Sequence, residues 1–298
     1  MKLKDQKFIQ LFTKSGQDFM ENDCLKFSAS LSYYTIFALP AFAIVLITSL
    51  GYFVGEQVVT EGLLKQINKM IGSQSADQIR TIITNSALSK TNIFETIISI
   101  ITLVISASGM FSEIQSSIND IWKIKAKSSS AVKRLAIDQL FSFSMIVILG
   151  FILLISLLMD SMIDVLHNQL IATYGSDNFW LTNMADSLFS FVIITFLVGY
   201  IYRELPDAKI RLKDTLVGAL FTAVLFIFGK YLIGLYLDNY SKISLYGAAG
   251  SILIILLWVY YSAIILYFGA VFTKNYAKLY GTPIAPTAYS EFKQADLE

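Results

Sequence analysis

From Phe27 to Gly55 the chain runs 29 residues without a charged side chain, and from Ile243 to Thr273 it does so for 31. At 1.5 Å of rise per residue, about 20 apolar residues cross the ~30 Å hydrocarbon core of a bilayer. Runs this long have no polar face to turn toward water. In lipid, a helix satisfies its backbone groups within one segment. Thr96–Ser112, Gln139–Met159 and Ser187–Tyr202 are also uncharged, and Thr215–Leu237 is interrupted only by Lys230, close enough to an end to snorkel. Six spans are therefore expected. Ser187–Tyr202 is short and must borrow flanking residues. The final run is too long for one upright helix, so it must tilt or begin irregularly, with Gly247 and Gly250 as the natural break.

Orientation follows from the basic residues. The segments before Phe27, Glu113–Asp138, Arg203–Asp214 and the tail after Thr273 together hold 17 Lys and Arg, against six on the other side. That bias places both termini inside. Only 15% of the chain is charged, against about a quarter in soluble domains. A net charge of +1 offers no field for nucleic acid. Cys24 is the one cysteine and His167 the one histidine, which excludes internal disulfides and CxxC metal or redox motifs. Met1–Lys26 carries five lysines and no apolar core, so it does not read as a cleavable signal. Phe8, Phe12 and Phe19 can share one face of a helix there, either at the lipid surface or solvated.

The fold expected is all-α: a polytopic transmembrane bundle, six spans, both termini cytoplasmic, with short amphipathic helices on the outer side. Residues 1–26 form the amphipathic N-terminal segment, 27–278 the membrane domain, and 279–298 a disordered tail marked by Pro283 and Pro286. On the outer side, Val58, Leu63, Leu64, Ile67 and Ile71, then Ile79, Ile82 and Ile83, fit two short amphipathic helices. These either cap a cavity, lie on the membrane surface or shield the outer ends of the bundle. Ile163, Leu166 and Leu170 repeat the pattern after Asp160.

Four blocks suggest a family. The first span opens Leu25-Lys-Phe-Ser-Ala-Ser-Leu-Ser-Tyr-Tyr-Thr-Ile-Phe-Ala-Leu-Pro40, and the second ends Ser106-Ala-Ser-Gly-Met-Phe-Ser-Glu113-Ile-Gln-Ser-Ser-Ile-Asn119-Asp-Ile-Trp122. Tyr202-Arg-Glu-Leu-Pro206 precedes Ile210-Arg-Leu-Lys-Asp214-Thr-Leu-Val-Gly218-Ala. Leu245-Tyr-Gly-Ala-Ala-Gly250, Leu257-Trp-Val-Tyr-Tyr-Ser262 and Gly269-Ala270 close the series. In order and spacing, over about residues 20–278, the chain resembles the YihY/virulence factor BrkB family of bacterial inner-membrane proteins. The resemblance implies six spans in the cytoplasmic membrane but no settled activity. Some members carry an old ribonuclease BN label for tRNA processing, and others are linked to serum resistance or envelope lipid homeostasis. Members often carry an acidic residue after the final Gly-Ala, where this chain has Val271.

Metal-assisted phosphodiester cleavage needs clustered His, Asp or Glu, and His167 stands alone on the outer side. Glu113 and Asp120 lie on one side of a helical extension with Asn119, which reads as a solvated face. No cofactor, metal site or nucleic-acid partner is therefore expected, nor an enzyme. Asp160 and Asp164, one helical turn apart at the outer end of the third span, form a candidate outer polar pair. Alternatively they mark where the helix leaves lipid. A second cluster is uncharged: Ser28, Ser32, Tyr34 and Thr35 in the first span, with Trp258, Tyr261 and Ser262 in the last. These candidate cavity-lining residues either flank a passage for a polar group or act as helix–helix glue worth about 0.6 kcal/mol per hydroxyl. Small residues four apart, Gly218 with Thr222 and Gly269 with Thr273 among them, allow close helix approach.

No span carries a titratable group at its midplane, which disfavours an ion-coupled pump. Nothing matches a Walker loop. The function expected is passive or partner-driven translocation of envelope lipids or other amphipathic or polar molecules. The alternative is a non-transporting scaffold or regulator of an envelope complex. Membrane lipids are the expected partners, with a second copy or other envelope proteins beside them.

Overall fold

The computed structural model describes residues 2–71, 73–87, 108–127, 144, 147–156, 159, 179–239 and 247–293. Helix α1 (Lys2–Glu21) turns through Asn22 and Asp23 into α2 (Cys24–Val54). α3 (Glu56–Ile71) and α4 (Ser73–Ala87) follow. α5 spans 108–121 and α6 is Val147–Ser156. α7 (Phe179–Glu204), α8 (Leu212–Asn239) and α9 (Gly247–Tyr280) complete the helices among the described residues.

Three of these helices are long and apolar enough to cross a membrane, through Ser187–Glu204, Leu212–Lys230 and Ile252–Tyr280. α2 is a fourth if its two halves, bent by 40° after Pro40, count as one span. Pro40 causes the bend, because it has no N–H and its ring crowds the carbonyl one turn back. Only part of the expected spans Thr96–Ser112 and Gln139–Met159 lies within the described residues, and 108–112 and 147–156 are helical. The short run at Ser187–Tyr202 borrows flanking residues as expected, within a 26-residue helix. The last span shows no break at Gly250, since α9 is continuous for 34 residues from Gly247.

The core is a sandwich of long helices in which α9 is central, flanked by α2 and α8, with α7 beyond α8. α2 and α9 run antiparallel. Phe27 meets Tyr267 with ring centroids 6.3 Å apart, and Leu39 joins the cluster of Ile255 and Val259. α8 and α9 are antiparallel as well, with Gly218 against Thr273 and Gly229 against Tyr261. Lys26, Arg203, Lys213 and Lys274 thus gather toward one end of the bundle, here called the basic end.

α1 lies neither free in solvent nor apart from the bundle. Phe12 packs on Phe221 and Phe272 at 5.8 and 5.7 Å, and Phe19 meets Phe268 at 5.6 Å. The tail corrects the expectation of disorder. Residues 281–293 form β3 (Ala285–Pro286), paired antiparallel with β2 (Ala208–Lys209), and β4 (Ser290–Phe292), paired with β1 (Ile124–Ala126). Two-stranded ribbons are marginal alone. Here buried Ser290 holds the turn, its Oγ donating to Asp207 O at 2.6 Å and accepting from Thr287 N at 2.7 Å. Composition marked the prolines as breakers, but a two-residue edge pairing tolerates Pro286.

Candidate functional site

In the predicted hydroxyl cluster, Ser28, Ser32, Thr35 and Ser262 are taken up by their own helices. Ser28 donates to Cys24 O at 2.8 Å, Ser32 to Ser28 O at 2.9 Å and Thr35 to Leu31 O at 2.7 Å. Ser262 does the same to Trp258 O at 2.8 Å. Each hydroxyl is satisfied by the turn before it, a pattern open to Ser and Thr inside helices. Trp258 and Tyr261 face α8: Trp258 meets Phe226 edge-on at 6.0 Å, and the Tyr261 hydroxyl occupies the space that a side chain at Gly229 would fill. Tyr34 is 41% exposed and touches the open side of Gly109. An open groove of about 660 Å³ lies elsewhere, along Gln6, Gln10, Lys14 and Gln17 of α1. Asp160 and Asp164 lie outside the described residues.

What the fold does bring together is a polar knot at the basic end. Asn119, near the end of α5, donates through Nδ2 to Asp207 Oδ2 at 2.9 Å and accepts at Oδ1 from Asp207 N at 2.9 Å. Trp122 donates its indole N–H to Ala270 O of α9 at 3.0 Å, and Lys274 Nζ returns to Ile121 O at 2.9 Å. That lysine supplies a cation at the C-terminus of α5, where the helix dipole favours one. Lys293 pairs with Asp120 at 2.6 Å, so the face read as solvated is half-covered by the tail.

The knot extends on both sides. Tyr202 donates to Leu266 O at 2.6 Å and lies 3.1 Å from Thr222 Oγ1. Asp214 accepts from Thr282 N at 3.2 Å, and Asn275 donates to Asp18 at 3.0 Å and to Ser15 at 3.3 Å. Polar groups this buried are costly unless paired, so each bond ties one helix end to another. The hydroxyls of Ser117 and Tyr267 have no partner but each other among the described residues. Sequence reasoning had assigned none of these partnerships. The only signal was that Asn119–Trp122, Tyr202–Pro206, Asp214–Gly218 and Gly269–Ala270 carried the family resemblance.

The second feature is the α3–α4 pair, which packs alongside α2 and α9. Gly55 has φ 96°, open to glycine and strained for other residues, and it reverses the chain. Glu56 then packs against Gly51, and a Cβ there would stand 2.9 Å from the Glu56 Cα. Contacts step backwards along α2: Val59 clusters with Leu46 and Ile47, and Leu64 with Leu39, Ile255 and Val259. α4 returns beside it, burying Ala76 and Ile79 in the same cluster. Glu61, Lys65, Asn68, Asp77 and Arg80 remain exposed on the other face.

Among the described residues, no group of three or more His, Cys, Asp or Glu side chains is disposed to hold a metal. Comparison with known proteins agrees with the architecture. The family model described as virulence factor BrkB matches residues 15–289. A UPF0761 membrane protein of Psychrobacter sp. (strain PRwf-1) is 28% identical over 82% of this chain and 44% of its own length. One from Pseudomonas paraeruginosa (strain DSM 24068 / PA7) is 26% identical over 83% of this chain and 58% of its own. One from Xanthomonas oryzae pv. oryzae (strain PXO99A) is 27% identical over 91% and 62%. The chain thus spans about half the length of the curated relatives it matches. No solved structure matches. With a match over nearly the whole chain and an apolar helical bundle to go with it, this membrane protein belongs to the virulence factor BrkB family.

Proposed function

We propose that the chain is a six-span protein of the bacterial inner membrane with both termini cytoplasmic. In this reading it is a passive or partner-driven translocator of lipids or other amphipathic molecules, and not an enzyme. The observation that carries the reading is the docking of a charged helical pair, α3–α4, alongside the apolar helices α2 and α9. A polar surface beside lipid-facing helices suits a cargo with a polar head and an apolar body. Ser187–Tyr202 and Ile252–Thr273 carry no titratable Asp, Glu, Lys, Arg or His, which supports movement without a coupled ion. The bias of 17 basic residues against six supports the orientation.

The test is reconstitution into liposomes with fluorescent phospholipid on both leaflets. Bleaching by external dithionite is expected to pass the half-way plateau of empty vesicles. A plateau unchanged from empty vesicles sinks the translocator. Reporter fusions at residues 130 and 170 test the topology, expected inside and outside respectively.

A second reading has its own observation. Ser28, Ser32, Thr35 and Ser262 all bond back to their own helices, which suits a scaffold that grips envelope proteins or a second copy without moving anything. Crosslinking in native membranes separates the two, since the scaffold requires a stable adduct and the translocator does not.

A further inference from the structure

We propose that α3–α4 is a re-entrant helical hairpin that carries water into the outer half of the bilayer and seats zwitterionic phospholipid headgroups there. Depth is measured along the two helices it packs on. Leu39 lies 13 residues beyond Lys26 on α2, and Val259 lies 15 residues before Lys274 on α9. Both distances come to about 20 Å of helix rise from the basic end. Leu64 and Ile79 pack at that level, against Leu39, Ile255 and Val259. Beyond it α2 continues 15 residues to Val54 and α9 twelve to Gly247, roughly another 20 Å on each side. The hairpin therefore enters at Gly55, descends along α2 well below the outer ends of its neighbours, and returns as α4.

The hairpin cannot be an ordinary membrane segment. Its buried side is apolar: Val59, Leu64, Ala76 and Ile79 are each less than a tenth exposed. Its other side is charged and open. Gln57, Glu61, Lys65 and Asn68 form a stripe at helical spacing on α3, and Asp77, Arg80, Thr81 and Thr84 form one on α4, all of them exposed. Charged side chains facing hydrocarbon are strongly disfavoured, and the usual relief is water and lipid headgroups drawn in beside them. The stripes mix both signs. Lys65 and Arg80 suit a phosphate, and Glu61 and Asp77 suit a quaternary or primary ammonium, so a zwitterionic headgroup matches better than an anion alone. This deepens the translocator reading by placing its outer headgroup station, and it rests on that reading only for which face of the membrane is the outer one.

The test uses the full chain with Cys24→Ser and one new cysteine, Asn68→Cys or Thr81→Cys, carrying bimane in phosphatidylcholine vesicles. Val192→Cys, exposed on α7, serves as the lipid-facing control. At both hairpin positions, aqueous iodide is expected to quench at least five-fold more strongly than at Val192→Cys. Lipid brominated at carbons 6 and 7 is expected to quench at the same two positions. Iodide quenching without bromolipid quenching puts the hairpin outside the bilayer and overturns the proposal, as does failure of iodide to quench.

The seat is read separately. Dihexanoyl-phosphatidylcholine below its micellar concentration is expected to slow maleimide labelling of Thr81→Cys at least three-fold. Lys65→Gln with Arg80→Gln should abolish that protection, and octyl glucoside should give none. Equal slowing by octyl glucoside, or none by the phospholipid, removes the seat. Lipid flux enters neither reading, so a failed flux assay leaves this inference standing, and a failed quenching result leaves the translocator standing.

Discussion

Thr222 of α8 stands over Gly269 of α9, while Thr273 of α9 stands over Gly218 of α8. The two pairs interlock, each threonine filling the hollow left by the other helix's glycine. Each hydroxyl donates to its own helix, Thr222 to Gly218 O at 2.8 Å and Thr273 to Gly269 O at 2.6 Å. Without a hydrophobic drive between helices in lipid, such close packing is what holds spans together.

A methyl group at position 269 would overlap Thr222 and the Tyr202 hydroxyl. Gly269→Ala is therefore expected to destabilise the protein by about 1–3 kcal/mol, the usual cost of overpacking. Gly16→Ala on α1 meets nothing within 4 Å and should stabilise by up to about 1 kcal/mol through helix propensity. Thermal midpoints in detergent check both signs.

Asn119→Ala removes both bonds to Asp207 and leaves its backbone N–H unpaired. A cost of roughly 1–3 kcal/mol is expected. Hydrogen exchange at the Asp207 amide should accelerate at least ten-fold, while exchange in α9 stays slow.

The tail ties contribute unequally. Lys293 and Asp120 are each more than a third exposed, so Lys293→Ala should cost less than about 1 kcal/mol. Buried Ser290 bonds to Asp207 and Thr287, and Ser290→Ala should cost about 1–3 kcal/mol. Limited proteolysis after Tyr280 reads the difference: rapid cleavage in the serine variant, near-native resistance in the lysine variant.

Cys24 is fully buried at the start of α2. A maleimide is expected to leave it unmodified in membranes and to react with it fully in dodecyl sulfate. Labelling in native membranes would show that the contact between α1, α2 and α9 opens.

The sequence by itself marked the long apolar runs. Apolar length is a property of consecutive residues, so Phe27–Gly55 and Ile243–Thr273 could be read without knowing any partner. It also marked Gly218, Thr222, Gly269 and Thr273 as packing positions, since a four-residue spacing fixes a helical face. Only the tertiary structure decided that these four serve one another. It likewise decided that Asn119 belongs to Asp207, 88 residues away, and that the proline-bearing tail closes two strands. Amphipathic periodicity gave α3 and α4 an apolar face but no direction. The turn at Gly55 and the clusters at Leu39 and Val259 supplied it, because depth beside a neighbouring helix depends on a contact that no local pattern encodes.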